Sequence, residues 1–372
     1  MKKIIALLLS LTLVMSMLVA CGKKDAAETT ADPTAAPTTA PAADDKKDDA
    51  ATTDTTTEPA ATEAAAAKTG LAVLTSLAKS KNAAADADGL AEVGSTVVAV
   101  LVGQDGKILK CSIDVAQTKI NFSKEGKLVT DVTTVFQPKQ ELKEAYGMKK
   151  ASSIGKEWYE QANALEAYVI GKTVDEIKGI AVTEEGVPTD ADLAASVTVK
   201  IKDYVAAIEK AVASATDMGA KETDKLGLGI VTNIAKSKDA AADAPGLAQA
   251  YSYYTVTTTD ADGKITSCII DASQGNVNFD ATGVITTDLT VAPQTKQELK
   301  DAYGMKKASA IGKEWFEQAN AFAAYVIGKT VAEVDGIALT EGVPSGADLT
   351  SSVTVHATDF VTTIDKSVAN AQ

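Results

Sequence analysis

The sequence predicts an α+β protein: two tandem copies of one domain, each an antiparallel sheet with helices packed on one face, after a disordered tether. Three observations predict it. Tyr146-Gly147-Met148-Lys149-Lys150 returns as Tyr303-Gly304-Met305-Lys306-Lys307, an offset of 157 that holds from Lys68 to Glu184 and becomes 156 after one missing residue. Such a period exceeds any solenoid repeat and marks whole domains, each long enough to bury its own core. Within each copy, strand-like runs come first and helical spacing follows, the order expected when helices cover one face of a sheet. The expected boundaries are 1–20 for a signal segment, 21–67 for the tether, 68–216 for the first repeat and 217–372 for the second.

The first strand is expected over Leu71 to Leu77. Thr96 to Val102 then leads through Asp105-Gly106 into Ile108 to Asp114, a pattern that predicts a hairpin closed by a type I′ turn, with Asp262-Gly263 as its counterpart. A second hairpin is expected from Lys119-Ile120-Asn121-Phe122 through Glu125-Gly126 to Lys127-Leu128-Val129, and Thr282-Gly283 repeats its turn. Helical signals begin near Gln140 to Tyr146, and Thr295 to Glu298 has the form of a capping box. Trp158, Ala162, Leu165 and Val169 fall at helical spacing before Gly171, Thr173 caps a short helix, and Asp203 opens the last one.

Ahead of the repeats, Lys2 and Lys3 precede an apolar run from Ile4 to Val19. Ser10, Thr12 and Ser16 interrupt it, leaving it short of the ~20 continuous apolar residues of a membrane span. It reads as a secretory signal. Leu18-Val19-Ala20-Cys21, followed by Gly22, resembles a lipobox. That resemblance implies a bacterial lipoprotein, held outside the cytoplasm by acyl chains on Cys21. Gly22 to Ala67 lacks aromatics, Leu, Ile and Val, and has nothing to bury. The net charge of −14 becomes −16 without the two signal lysines. Such a polyanion seeks neither nucleic acid nor anionic headgroups, so membrane attachment falls to the lipid.

The repeats test each other, because chemistry common to both requires the same residue at both positions. His356 faces Lys200, which excludes a shared histidine mechanism. Asp86 is matched by Asp243 but Asp88 by Pro245, and no Cys/His cluster has metal spacing. Cys111 and Cys268 share strand positions and read as small buried hydrophobes. No catalytic group and no metal site are expected, and a binding or electron-carrier role is favoured over an enzyme. From Tyr146 to Ala164 the copies differ only at Ser153/Ala310 and Tyr159/Phe316. Lys149, Lys150, Ser152 and Lys156, with Lys306, Lys307, Ser309 and Lys313, are therefore candidates for an anion site, and Trp158 and Trp315 for a stacking surface or for core.

Asp192-Leu193-Ala194-Ala195-Ser196-Val197-Thr198-Val199 before a terminal helix, together with the early Val-x-Val…Asp-Gly-Lys-Ile hairpin, resembles the ends of FMN-binding domains. Those domains occur in membrane electron-transfer complexes and in flavin-bearing surface lipoproteins. The resemblance implies FMN as cofactor, a redox partner, and Ser196 and Thr198, with Ser352 and Thr354, as phosphate contacts or attachment points. Val197 and Val353 stand between those residues, and Val-Thr-Val also reads as plain strand. The alternative function is a cofactor-free surface protein that binds cell-wall, peptide or protein partners, or acts as a spacer.

Overall fold

Residues 64–372 are described by a computed structural model; the signal segment, Cys21 and nearly all of the expected tether lie outside them. The first repeat runs through β1 (Ala66–Ser76), β2 (Gly89–Val102), β3 (Ile108–Phe122), α1 (Lys139–Leu142), α2 (Trp158–Val169), α3 (Val174–Lys178), α4 (Ala191–Ala194) and α5 (Lys202–Ala213). The second follows with β4 (Thr216–Lys221), β5 (Lys225–Asn233), β6 (Gly246–Thr259), β7 (Ile265–Phe279), α6 (Lys296–Leu299), α7 (Trp315–Tyr325) and α8 (Val331–Asp335), and closes with β8 (Leu339–Thr340), β9 (Val343–Pro344), α9 (Ala347–Thr350) and α10 (Thr358–Ala369). Strands and helices together make the chain α+β. The first strand begins at Ala66, within the segment expected to be tether.

The sheets are antiparallel, in the orders β3-β2-β1-β4 and β5-β6-β7, with β8 and β9 forming a separate small pair. The second repeat's opening strand thus extends the first repeat's sheet. The β2–β3 connection departs from the expected type I′ turn. That turn needs positive φ at both central residues, yet only Gly106 has it, at 79°. The Gly106 amide donates to the Gly103 carbonyl, the Gly103 amide donates to that of Lys107, and the register slips at Leu101/Val102, the pattern of a type I turn with a glycine bulge. The second expected hairpin forms as a short turn-back at the end of β3: the Ser123 amide donates to the Lys127 carbonyl at 2.7 Å and the Val129 amide to that of Asn121 at 2.9 Å, while Phe122 bridges Leu128 and the return arm is too short to make a strand of its own. Thr173 and Thr295 cap their helices in reciprocal boxes with Glu176 and Glu298, as their spacing predicts.

Each repeat does not bury its core alone. Along β2, Val98, Val100 and Val102 face Leu165, Ile208 and Ala211 of the helices, whereas Val97, Ala99 and Leu101 join Leu226, Leu228, Tyr254 and Val256 of the other repeat. The two sheets therefore pack face to face between outer layers of helix, and the described residues form one compact unit. The continuous run Val97 to Val102 is the sequence signature of a strand buried on both faces.

The contacts between repeats are reciprocal. The Phe122 and Phe279 rings stack with centroids 4.2 Å apart. Asn82 Oδ1 accepts from the Ile285 amide at 2.9 Å, and its counterpart Asp239 Oδ1 accepts from the Leu128 amide at 2.8 Å. Lys210 pairs with Glu298 at 2.5 Å and Lys366 with Glu141 at 2.6 Å. Matching residues exchange matching bonds, which defines a pseudo-twofold axis through the paired rings.

Within this symmetry, the contact of the last helix with its sheet differs between repeats. Val98 and Ala207 belong to the apolar cluster of the first repeat; their counterparts are Thr255 and Thr363, whose hydroxyls bond at 2.8 Å in a fully buried setting. Val100 and Ala211 likewise become Thr257 and Ser367, joined at 2.8 Å. Removing one hydroxyl strands its partner, whereas removing both does not. Thr363→Ala is therefore expected to lower unfolding free energy by roughly 1–3 kcal/mol, and Thr255→Val with Thr363→Ala to recover most of that loss, as a double-mutant cycle in denaturant would measure.

Candidate functional site

The segment that is nearly the same in both repeats forms a latch. Glu157 caps α2 and accepts from the Met148 amide at 2.7 Å, pinning the turn that carries Lys149 and Lys150. Gln161, wholly buried, donates to Ser152 Oγ at 3.1 Å and accepts from the Thr198 amide at 2.8 Å, the Thr198 hydroxyl at 3.2 Å and the Val199 amide at 3.2 Å. Lys156 Nζ lies 3.4 Å from Ser196 Oγ. Gln318 holds Ser309 and Thr354 in the same way, and Glu314 accepts from the Met305 and Lys306 amides.

The structure thus brings Ser152, Lys156, Ser196 and Thr198 together, with Ser309 and Thr354 matching them in the second repeat, but through glutamine. Thr198 and Thr354 spend their hydroxyls on that amide, which corrects the expectation that they stand ready to hold phosphate. Lys149, Lys150, Lys306 and Lys307 are exposed on the turn, while Lys313 and Ser352 are half-buried. Trp158 is 2% exposed and donates from Nε1 to Tyr204 Oη at 2.9 Å, and Trp315 packs edge-on to Phe360. Both indoles are core, not open stacking platforms. His356, Asp86 and Asp88 are exposed, and Cys111 and Cys268 are free and buried, as expected.

A second arrangement, centred on Lys139, escaped the sequence reading. Lys139 opens α1; Lys143, at φ 46°, ends the helix, and a 3-10 turn over Lys143–Tyr146 folds Tyr146 back over it. Its ammonium lies 4.4 Å from the Tyr146 ring centre and 5.2 Å from that of Trp158. Burial, with repulsion from Lys79, lowers its pKa to about 8. Beside it opens a cavity of about 410 Å³, lined by Lys79, Glu92, Gly94, Thr96, Asp203 and Tyr204 among others. Among the described residues, neither the Lys139 ammonium nor the Asp203 carboxylate has a hydrogen-bond partner.

In the second repeat the same space is filled. Gly94 is matched by Tyr251 and Thr96 by Tyr253, whose rings stack with centroids 4.5 Å apart. Lys296, the counterpart of Lys139, is 3% exposed. It donates to Tyr251 Oη and lies within 4.9 Å of the ring centres of Tyr251, Tyr303 and Trp315. Tyr253 faces Asp359, the counterpart of Asp203. Burial lowers the Lys296 pKa to about 7 and pushes both tyrosines well above their ordinary range.

Buried acids stand behind each lysine. Asp114 Oδ1 accepts from the Val115 and Gln140 amides, Asp271 Oδ1 from those of Ala272 and Gln297, and Glu166 from the Ile113 amide at 2.5 Å. Burial raises each of the three pKa values to about 7. An acid raised on folding stabilises fully below its unfolded pKa of about 4, and that contribution is lost as pH rises through 7. The depressed lysines act only above about pH 7, where stability regains with pH. The melting temperature should therefore fall between pH 5 and pH 7, and Asp114→Asn should flatten part of that slope in a calorimetric pH series.

No family model matches this chain, and no solved structure does. A chlorophenol reductase of Desulfitobacterium hafniense is 58% identical over 41 residues, which are 11% of this chain and 12% of the relative. The chain thus spans about an eighth of that protein's length.

Proposed function

We propose that this chain is a lipid-anchored, extracytoplasmic small-molecule-binding protein, built as a tandem of related α+β modules, in which the first repeat holds the ligand and the second serves as its filled structural partner. The observation that carries this is the contrast at one place in the fold: Gly94 and Thr96 leave a cavity open where Tyr251 and Tyr253 occupy it. The open cavity has the size usual for ligand sites and converging charges at Lys79, Lys139, Glu92 and Asp203. With Lys79, Lys119 and Lys139 clustered about Glu92, its electrostatics favour a planar ligand bearing an anionic oxygen. FMN belongs to that class, and the flavin would supply its own redox chemistry while the protein positions and shields it.

Thermal shift measurements on the whole protein with flavins, aryl acids and phenols test the reading. At least one compound should raise the melting temperature, and Gly94→Tyr with Thr96→Tyr, which writes the second repeat's plug into the first, should abolish the shift. Shifts that survive the plug, or none at all, refute it. For the anchor, Cys21→Ser should move the protein from the membrane fraction to the soluble one.

A further inference from the structure

We infer that the open pocket of the first repeat takes a phenol, with its hydroxyl at Lys139 Nζ and a second polar donor at Asp203. This rests on the binding reading above and names the ligand class. The second repeat supplies the pattern. Its plug is two phenols, each facing its own charged group: Tyr251 accepts from Lys296, and Tyr253 faces the Asp359 carboxylate. The aromatic residues about the lysine are shared. Lys296 is sandwiched among Tyr251, Tyr303 and Trp315, while Lys139 has the equivalent Tyr146 and Trp158 and lacks only the plug ring.

What the first repeat lacks is therefore an aromatic ring with an oxygen at its end. The cavity's 410 Å³ exceeds one ring, so substituents on the phenol are accommodated. Lys139 carries its charge with few competitors: Lys79 and Lys119 reach Glu92 at 3.9 and 4.0 Å, and Gln117 donates to the same carboxylate at 2.6 Å. Glu92 is thereby engaged and does not neutralise Lys139 directly. A phenol oxygen approaching that ammonium gains a charge-assisted hydrogen bond, and its ring replaces solvent against Tyr204 and Val115.

Isothermal titration of the whole protein with 4-methylphenol, its O-methyl ether, N-acetyltyrosinamide and FMN tests this. The tyrosinamide distinguishes a tyrosine side chain from a free phenol as the source of the ring. At least one of the two phenols should bind, and 4-methylphenol should bind roughly tenfold or more tightly than the ether, because an aryl ether oxygen is the poorer acceptor for the ammonium, cannot ionise beside it, and carries a methyl that crowds it. Lys139→Met should erase that preference. Tyr251→Gly with Tyr253→Thr should open the second pocket and raise the stoichiometry from one to two. Equal affinity for phenol and ether, a preference that survives Lys139→Met, or binding of FMN without binding of either phenol would overturn the phenol assignment and leave the binding reading intact. Binding untouched by Gly94→Tyr with Thr96→Tyr would overturn both.

Discussion

Gly227→Ala should destabilise the protein by about 3 kcal/mol, seen as a marked drop in the denaturation midpoint. A β-carbon on Gly227 would stand 1.8 Å from the Ser367 carbonyl oxygen, and one on Gly229 would stand 2.1 Å from that of Thr363. Both obstacles are backbone of α10, so no side-chain rotation relieves them and the whole helix must lift. Lifting it would part Thr255 and Thr257 from Thr363 and Ser367, leaving buried hydroxyls unpaired. Gly70, the counterpart of Gly227, meets the Ala211 carbonyl oxygen at 2.1 Å, so Gly70→Ala should act similarly. There the strain falls on an apolar contact, and the loss should be the smaller of the two.

The second large effect belongs to the paired rings on the pseudo-twofold axis. Phe122 and Phe279 are fully buried, and each lies where a β-carbon on Gly89 or Gly246 would sit, 2.2 and 2.3 Å from the ring. Phe122→Ala should cost roughly 3–5 kcal/mol by opening a cavity between the sheets. Phe279→Ala should cost about the same, because the sites are equivalent. The double variant should cost less than the sum, since the first truncation already removes the stacking that the second would lose, and denaturant titration of the three proteins checks this.

Much of the architecture was legible in the sequence. The 157-residue offset, the Asp-Gly turns and the Thr…Glu caps located the repeats, strands and helix starts, because each depends on local backbone chemistry. The face-to-face packing was less visible, although the unbroken apolar run Val97 to Val102 carried its signal. Here the second repeat obscured the pattern: its Thr255, Thr257 and Thr258 look solvent-facing yet are buried, the first two bonded to α10 and Thr258 to Ser267 of β7.

The candidate site was legible only in part, for a physical reason. Identity between repeats drew attention to Ser152, Lys156 and their neighbours, but Glu157 and Gln161 show that such identity also arises where side chains fasten loops to one another. The informative difference lay at Gly94/Tyr251 and Thr96/Tyr253, where the repeats diverge. Strand register and the fold-back at Lys143 are needed before those positions can be seen to meet Lys139 and Lys296. The difference was present in the sequence, while its meaning depended on contacts more than forty residues apart.

The axis through Phe122 and Phe279 makes the surface between the sheets isologous, so each of its residues is answered by its own counterpart. Change there is felt on both sides at once, and drift is restrained twice over. The pocket beside Lys139 lies on the outer, helical side of one sheet and answers to no counterpart. A fused pair can therefore let one outer pocket close while the other stays open, keeping a shared keel and giving each flank a separate history.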